Sequence, residues 1–308
     1  MALRRWWRGG FVMAGTIGLL VLMTGCASLT RLYFHPQQVW VRTPAALGLA
    51  YDDVELTAAD GTLLHAWWLP GQKAHGTDSV IPGLSAETAH TDTEEPLPVV
   101  LYLHGNAENI SSHLLSVAWL PAQGVGLLAL DYRGFGASQG QPLLPDVLQD
   151  LHAAAAWLQQ RFPERPLVVM GQSIGAGLAV PFVADSAARY GIDALVLEAP
   201  PARYAEVARD MFSRSWIGWA LMPATWLLPS DWDPDAYAAA ISVPVLVIHS
   251  PEDQVIRIGQ GKTLYSDLTG PACWIEASGP HVAAFAQPEV RQQTLEFLSG
   301  LSCPALSK

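Results

Sequence analysis

Ser173 stands where a serine could do chemistry, in Gly171-Gln172-Ser173-Ile174-Gly175, directly after the apolar run Val168-Val169-Met170 and before a helix-like segment. A G-x-S-x-G turn between a strand and a helix lifts the hydroxyl clear of a sheet edge. It requires small residues at Gly171 and Gly175, where the backbone is crowded. A hydroxyl is a weak nucleophile at neutral pH unless a base takes its proton, and that base needs a third group to hold its tautomer. At such turns the acid and then the histidine follow the serine along the chain. Of nine histidines, only His281, in Ser278-Gly279-Pro280-His281, lies beyond the candidate acid loop. That loop is His249-Ser250-Pro251-Glu252-Asp253, which leaves the apolar run Val243 to Ile248. Asp253 is the expected acid and Glu252 its local rival, because one residue of loop register decides which carboxylate turns inward. Singly, a loop histidine is usually solvated and an aspartate after a strand is often a turn former. Three such groups in the required order point to acyl transfer.

Acyl transfer also needs donors for the oxyanion on the attacked carbonyl, and losing one typically lowers the rate about a hundred- to a thousandfold. One expected donor is the backbone N–H of Ile174. The other lies in Leu103-His104-Gly105-Asn106-Ala107, with Asn106 the first choice and Ala107 the second. His104 precedes the serine, so its expected role is to shape this loop. The sequence has no HExxH, no CxxC and no clustered ligand set, so neither metal nor cofactor is expected.

The elements that must position these groups are visible as apolar runs. Val99 to Leu103, Val125 to Leu130, Leu167 to Met170, Ala194 to Leu197, Val243 to Ile248 and Ala272 to Ile275 are continuously hydrophobic, as parallel strands covered on both faces require. Ahead of them, Val54 to Thr57 and Leu63 to Leu69 read as an antiparallel pair around Asp60-Gly61. Between strands, Pro145 to Gln159 aligns Val147, Leu148, Leu151, Ala155 and Leu158 on one helical stripe. Such alternation gives an α/β fold with a mostly parallel sheet and helices on both faces. Residues 72–98, rich in Thr, Glu, Gly, Ser and Pro, read as a disordered surface insertion. Residues 201–240 break the rhythm with large apolar groups, among them Met211, Phe212, Trp216, Trp219, Trp226 and Leu228. They are expected to cap the carboxyl ends of the strands, either lining an acyl site or gluing the cap to the core.

Together, Leu103-His104-Gly105-Asn106-Ala107-Glu108-Asn109, Asp131-Tyr132-Arg133-Gly134-Phe135-Gly136-Ala137-Ser138-Gln139-Gly140, the Ser173 turn and the surroundings of Asp253 and His281 resemble the HGN branch of the α/β hydrolases. That branch contains serine-aminopeptidase-like, monoacylglycerol-lipase-like and depalmitoylase-like members. The resemblance implies an α/β-hydrolase fold over residues 49–301, with a helical cap between the sixth and seventh strands and a structural role for Asp131 to Gly140. It departs at Gly279-Pro280, where Gly-Gly is common, and at Glu252 beside the acid. The expected activity is hydrolysis of a carboxylic ester or thioester on a small-molecule or acylated substrate. An amide-cleaving peptidase and a catalytically silent binding module are the alternatives.

Residues 1–25 read as a secretory signal: Arg4, Arg5 and Arg8, then an apolar run from Phe11 to Met23 that is short for a membrane span. Leu22-Met23-Thr24-Gly25-Cys26 resembles the bacterial lipobox, in which the cysteine is acylated. Residues 26–48 would then be a lipidated tether to the membrane, and Ala27 after the cysteine favours the outer membrane. Tyr33, Phe34 and Trp40 give this tether aromatic groups able to pack on the domain. The net charge of −11 argues against a nucleic-acid partner. Cys273 and Cys303 would sit in a disulfide-permissive compartment. Sequence leaves open whether they pair, and it does not set the oligomeric state.

Overall fold

The continuous apolar runs form strands covered on both sides. In the computed structural model, which describes residues 30–31, 33–72 and 97–303, the main sheet contains β1 (Asp52–Thr57), β2 (Leu63–Leu69), β3 (Val99–Leu103), β4 (Gly126–Asp131), β5 (Leu167–Gln172), β6 (Ile192–Glu198), β7 (Val245–His249) and β8 (Ala272–Glu276). Every residue of β3, β4, β5 and β7 is buried. Leu101 and Leu103 face one core layer, whereas Val100 and Tyr102 face the other. The edge strand β1 instead alternates, with Val54 and Leu56 inward and its other residues exposed. Residues 1–25, Cys26 and nearly all of the expected insertion at 72–98 lie outside the described residues.

The strand order is β1-β2-β4-β3-β5-β6-β7-β8. β1 with β2 and β2 with β4 are antiparallel, and the remaining neighbours are parallel. Helices α1 (Ile110–Val117), α2 (Asp146–Arg161), α3 (Ile174–Tyr190), α4 (Tyr204–Phe212), α5 (Trp216–Leu221), α6 (Asp235–Ala238), α7 (Ile258–Asp267) and α8 (Pro288–Gly300) cover it. α1 and α8 send Ile110, Leu114 and Phe297 into one layer; α2, α3 and α7 send Leu151, Phe182 and Leu264 into the other. From β3 the chain winds outward to β4, then returns to the other side of β3 for β5. Two connections leaving in opposite directions open a crevice at the carboxyl ends of β3 and β5, where open α/β sheets bind ligands.

The cap stands between β6 and β7 and consists of α4, α5, a 3-10 helix at Met222–Leu227, and α6. Residues 33–41 form a strap across the crevice. Tyr33 stacks on Tyr204 of the cap at 4.7 Å between ring centroids, and His35-Pro36 pairs with Ala107-Glu108. The Asn109 side-chain amide donates to the carbonyls of Gln37 and Val39, each at 2.9 Å. In the Asp131 to Gly140 loop, the Arg133 guanidinium donates to Asp150 of α2 at 2.9 and 2.7 Å and to Asp60 at 2.8 Å. Cys273 and Cys303 are joined in a disulfide with a Cα separation of 5.5 Å, tying β8 to the chain beyond α8.

Candidate active site

β5 ends at Gln172, and the chain turns so sharply into α3 that Ser173 takes φ 55° and ψ −121°. This positive φ is one an L-residue adopts only when its surroundings hold it. Those surroundings are tight: a Cβ on Gly171 would lie 2.6 Å from the backbone of Ala176, and one on Gly175 would run into the carbonyls of Leu103 and His104. The Ser173 N–H is fixed by the Glu198 carbonyl at 2.9 Å.

The structure brings the three expected groups together. His281 Nε2 is 2.9 Å from Ser173 Oγ, and His281 Nδ1 is 2.6 Å from Asp253 Oδ2. With Nδ1–H donating to the carboxylate, Nε2 presents its lone pair to the serine hydroxyl, as a general base must. Asp253 Oδ1 accepts from the N–H groups of Val255 and Ile256 at 2.8 and 2.9 Å. Burial acts to raise the Asp253 pKa, but the nearby His249 ring, whose Nε2 lies 3.6 Å from Oδ2, the hydrogen bond and charge of His281, and the Val255 N–H outweigh it and hold the carboxyl well below its usual range. Glu252 faces elsewhere: its Oε2 accepts from the Gly279 N–H at 3.1 Å. Ser250 Oγ donates to the Gly279 carbonyl at 2.6 Å. Both neighbours of the acid thus hold the loop that carries the histidine, at a glycine with φ 94°.

Asn106 and Ile174 face the same space beside Ser173, and neither backbone N–H has an acceptor among the described residues. Ile174 opens α3, where first-turn N–H groups lack intrahelical partners and the helix dipole favours negative charge. The Asn106 side chain points away into a clamp: its Oδ1 accepts from the His35 N–H at 3.0 Å, and its Nδ2 donates to His35 Nδ1 at 3.0 Å. His113 supports the loop from the other side, donating from Nε2 to the Ala107 carbonyl at 2.9 Å. His104 is fully buried, stacks on Tyr132 at 4.4 Å and donates from Nδ1 to the Gly105 carbonyl at 2.7 Å. Burial and the nearby His113 push its pKa well down, so it is a neutral packing group.

Two contributors escaped the sequence reading. His35 carries no motif and acts only because the strap crosses the crevice. Glu198, at the end of β6, lies under the triad; it accepts from the Gln172 side-chain amide and, through Oε1, from the Ala284 N–H at 2.8 Å. Gln172 Oε1 in turn accepts from Tyr102 and from Ser116. Burial raises the Glu198 pKa against the opposing pull of Gln172, Ala284 and the nearby His281 and His249. Its only trace in the sequence is a carboxylate closing an apolar run.

A cavity of about 420 Å³ opens onto Ser173, walled by Tyr204, Val207, Met211, Phe212 and Leu228 of the cap region and by Ile256. Among the described residues, no Asp, Glu, Lys or Arg side chain lines it. Trp216, Trp219 and Trp226 neither line the cavity nor glue the cap to the core as expected, being 82%, 65% and 78% exposed. Gly218 and Thr225 are the buried residues of that stretch instead. A wider groove of about 940 Å³, walled by residues of the strap and of the Asp131 to Gly140 loop, includes no triad residue among the described residues.

A family model described as serine aminopeptidase, S33, matches residues 94–235. Protein YfhR of Salmonella typhi is 32% identical over 275 residues, covering 84% of this chain and 82% of that one. The lysophosphatidylserine lipase ABHD12 of Danio rerio is 33% identical over 177 residues, covering 54% of this chain and 46% of that one. The Pyrococcus furiosus esterase Pf2001 superposes with a TM-score of 0.66 at 22% identity, covering 86% of this chain and 97% of that one, a likeness of fold.

Proposed function

The chain belongs to the α/β-hydrolase superfamily, among its S33-like serine hydrolases, and from that premise we propose that it cleaves carboxylic esters of apolar acyl groups. The observation that carries this reading is the largely apolar cavity opening on Ser173, whose described lining holds no carboxylate, lysine or arginine. An aminopeptidase must meet the ammonium group of its substrate, which a carboxylate in the pocket would favour; the described lining has none. Relationship to a protein named as a lysophosphatidylserine lipase further supports an acyl-lipid ester. Within that superfamily, the motifs Leu103 to Asn109 and Gly171 to Gly175 support a proposed place in the HGN branch.

Ser173 Oγ attacks the carbonyl carbon while its proton passes to His281 Nε2, and Asp253 stabilises the resulting imidazolium. The N–H groups of Asn106 and Ile174 take the oxyanion. His281 then gives the proton to the departing alcohol, and water, deprotonated by the same imidazole, releases the acid from Ser173. A fluorophosphonate probe should label the wild-type protein and not Ser173→Ala, and p-nitrophenyl octanoate should be turned over faster than the acetate. A folded wild-type protein that takes no label would favour the silent binding module, and preference for acetate would remove the acyl pocket.

We further propose export on residues 1–25 and acylation of Cys26, with Ala27 favouring the outer membrane. Support comes from the basic start, the short apolar run and the Gly25-Cys26 junction. Palmitate incorporation that persists in Cys26→Ala would refute the anchor.

A further inference from the structure

From Met211 to Leu228 the cap carries one charged residue, Arg214, in a chain of net charge −11. Between Ser213 and Leu227 it turns Trp216, Ile217, Trp219, Leu221, Trp226 and Leu227 to solvent. The backbone explains why they face outward. Gly218 is the contact point of α5, so close to Phe212 of α4 that a Cβ there would meet its backbone. Thr225 likewise turns inward, bonding the Met222 carbonyl at 2.8 Å and Arg209 at 3.1 Å. The six large side chains just named are directed away from the domain. None of the three indole N–H groups has a partner among the described residues.

We propose that this face is a docking surface for a phospholipid bilayer, which it enters only to interfacial depth. Four observations select that occupant. Indoles with an apolar body and a free N–H suit the boundary between acyl chains and headgroups. No helix among the described residues is long and apolar enough to cross a membrane, so the face lies on the bilayer and does not span it. The same segment continues inward, where Met211, Phe212, Ala224 and Leu228 line the cavity at Ser173; an apolar chain leaving the bilayer would meet one continuous apolar wall up to the nucleophile. Finally, Cys26 precedes the described Thr30 by so few residues that an anchor there has about 14 Å of extended chain at most. Thr30 is itself fixed, accepting from the Leu144 N–H at 2.9 Å, and the strap that follows stacks on the cap through Tyr33 and Tyr204.

Docking needs no catalysis, so its test is independent of the ester-hydrolase reading on which the substrate route rests. The full chain, wild type and with Trp216→Ser, Trp219→Ser and Trp226→Ser combined, is added to phosphatidylcholine vesicles whose acyl chains carry bromine. Three of twelve tryptophans are then expected to be quenched in the wild type alone, so that quenching in the variant falls short by about a quarter of the emission. The difference should persist at high salt, because apolar contact is not screened. Trp226→Ser alone, at an exposed position, should give part of the same difference and keeps the test valid should the triple variant misfold. Equal quenching of wild type and variants overturns the proposal. So does a difference that appears without lipid and grows with protein concentration, which would mean that the face pairs with a second copy. Docking that survives in a protein inert to fluorophosphonate would sink the hydrolase reading and leave this one standing.

Discussion

His35 and Asn106 are joined by two hydrogen bonds of 3.0 Å, one from the His35 backbone N–H to Asn106 Oδ1 and one from Asn106 Nδ2 to the His35 ring. The side chain of the residue expected to donate to the oxyanion is thereby consumed by the strap, and its backbone N–H is left free to face Ser173. Residues 33–41 are thus part of the site, since they hold the loop after β3 in the shape that catalysis needs.

Removing the imidazole should therefore loosen the oxyanion loop without touching the triad. His35→Ala is expected to lower kcat about 10- to 100-fold, less than deleting a donor outright, because a small misplacement of one N–H weakens transition-state stabilisation. Steady-state kinetics with a soluble ester measure this, and unchanged kcat would show that the clamp is idle.

Glu198 positions the catalytic base from below, holding the Ala284 N–H three residues beyond His281. In Glu198→Gln the new amide can turn its N–H₂ toward Ala284 or toward Gln172, so one donor faces another whichever way it sits. The expected result is a fall in kcat of about tenfold or more with a smaller change in KM, together with a lower Tm. A loss of stability with full activity per folded molecule would reduce Glu198 to a core residue.

Much of this was legible because the chemistry and the fold impose local patterns. Continuous apolar runs mark β3 to β7 since both faces of a parallel strand are covered, and G-x-S-x-G marks Ser173 since only small neighbours allow the turn. Asp253 over Glu252 was a matter of loop register, and only the contact with His281 distinguishes them. His35 and Glu198 were not legible, because each works through a partner 71 or 86 residues away. The outward placement of Trp216, Trp219 and Trp226 is not legible either, for a related reason. Composition shows that a segment is apolar but not which side of it is covered, and here Gly218 and Thr225 take the inner positions.

The Cys273–Cys303 bond closes a loop of 30 residues and fastens α8 to the edge strand β8. Limiting the unfolded chain in this way contributes about 3.6 kcal/mol in the chain-entropy account. Cys303→Ser should lower Tm by about 5–10 °C while leaving kcat intact, since neither cysteine lines the cavity. Calorimetry in the absence of reductant reads the shift, and an unchanged Tm would mean that the bond constrains nothing the fold does not already hold.

Asp253 also links stability to pH, and the sign follows from its depressed pKa. In the unfolded chain its carboxyl takes a proton near the ordinary value of 3.8, whereas in the folded protein the nearby His249 ring and the hydrogen bonds from His281 and the Val255 N–H keep it ionised to lower pH. Its contribution to stability is therefore present in full above about 3.8 and is lost as the pH falls below that value toward the folded pKa. Asp253→Asn has no such proton to bind, while every other carboxyl in the two proteins is the same. Between about pH 5 and about pH 3, the wild-type Tm should fall more steeply than that of Asp253→Asn. Thermal scans across that range test it. Parallel curves throughout would mean that the carboxylate is no better held in the folded protein than in water, which the hydrogen bonds at 2.6, 2.8 and 2.9 Å argue against.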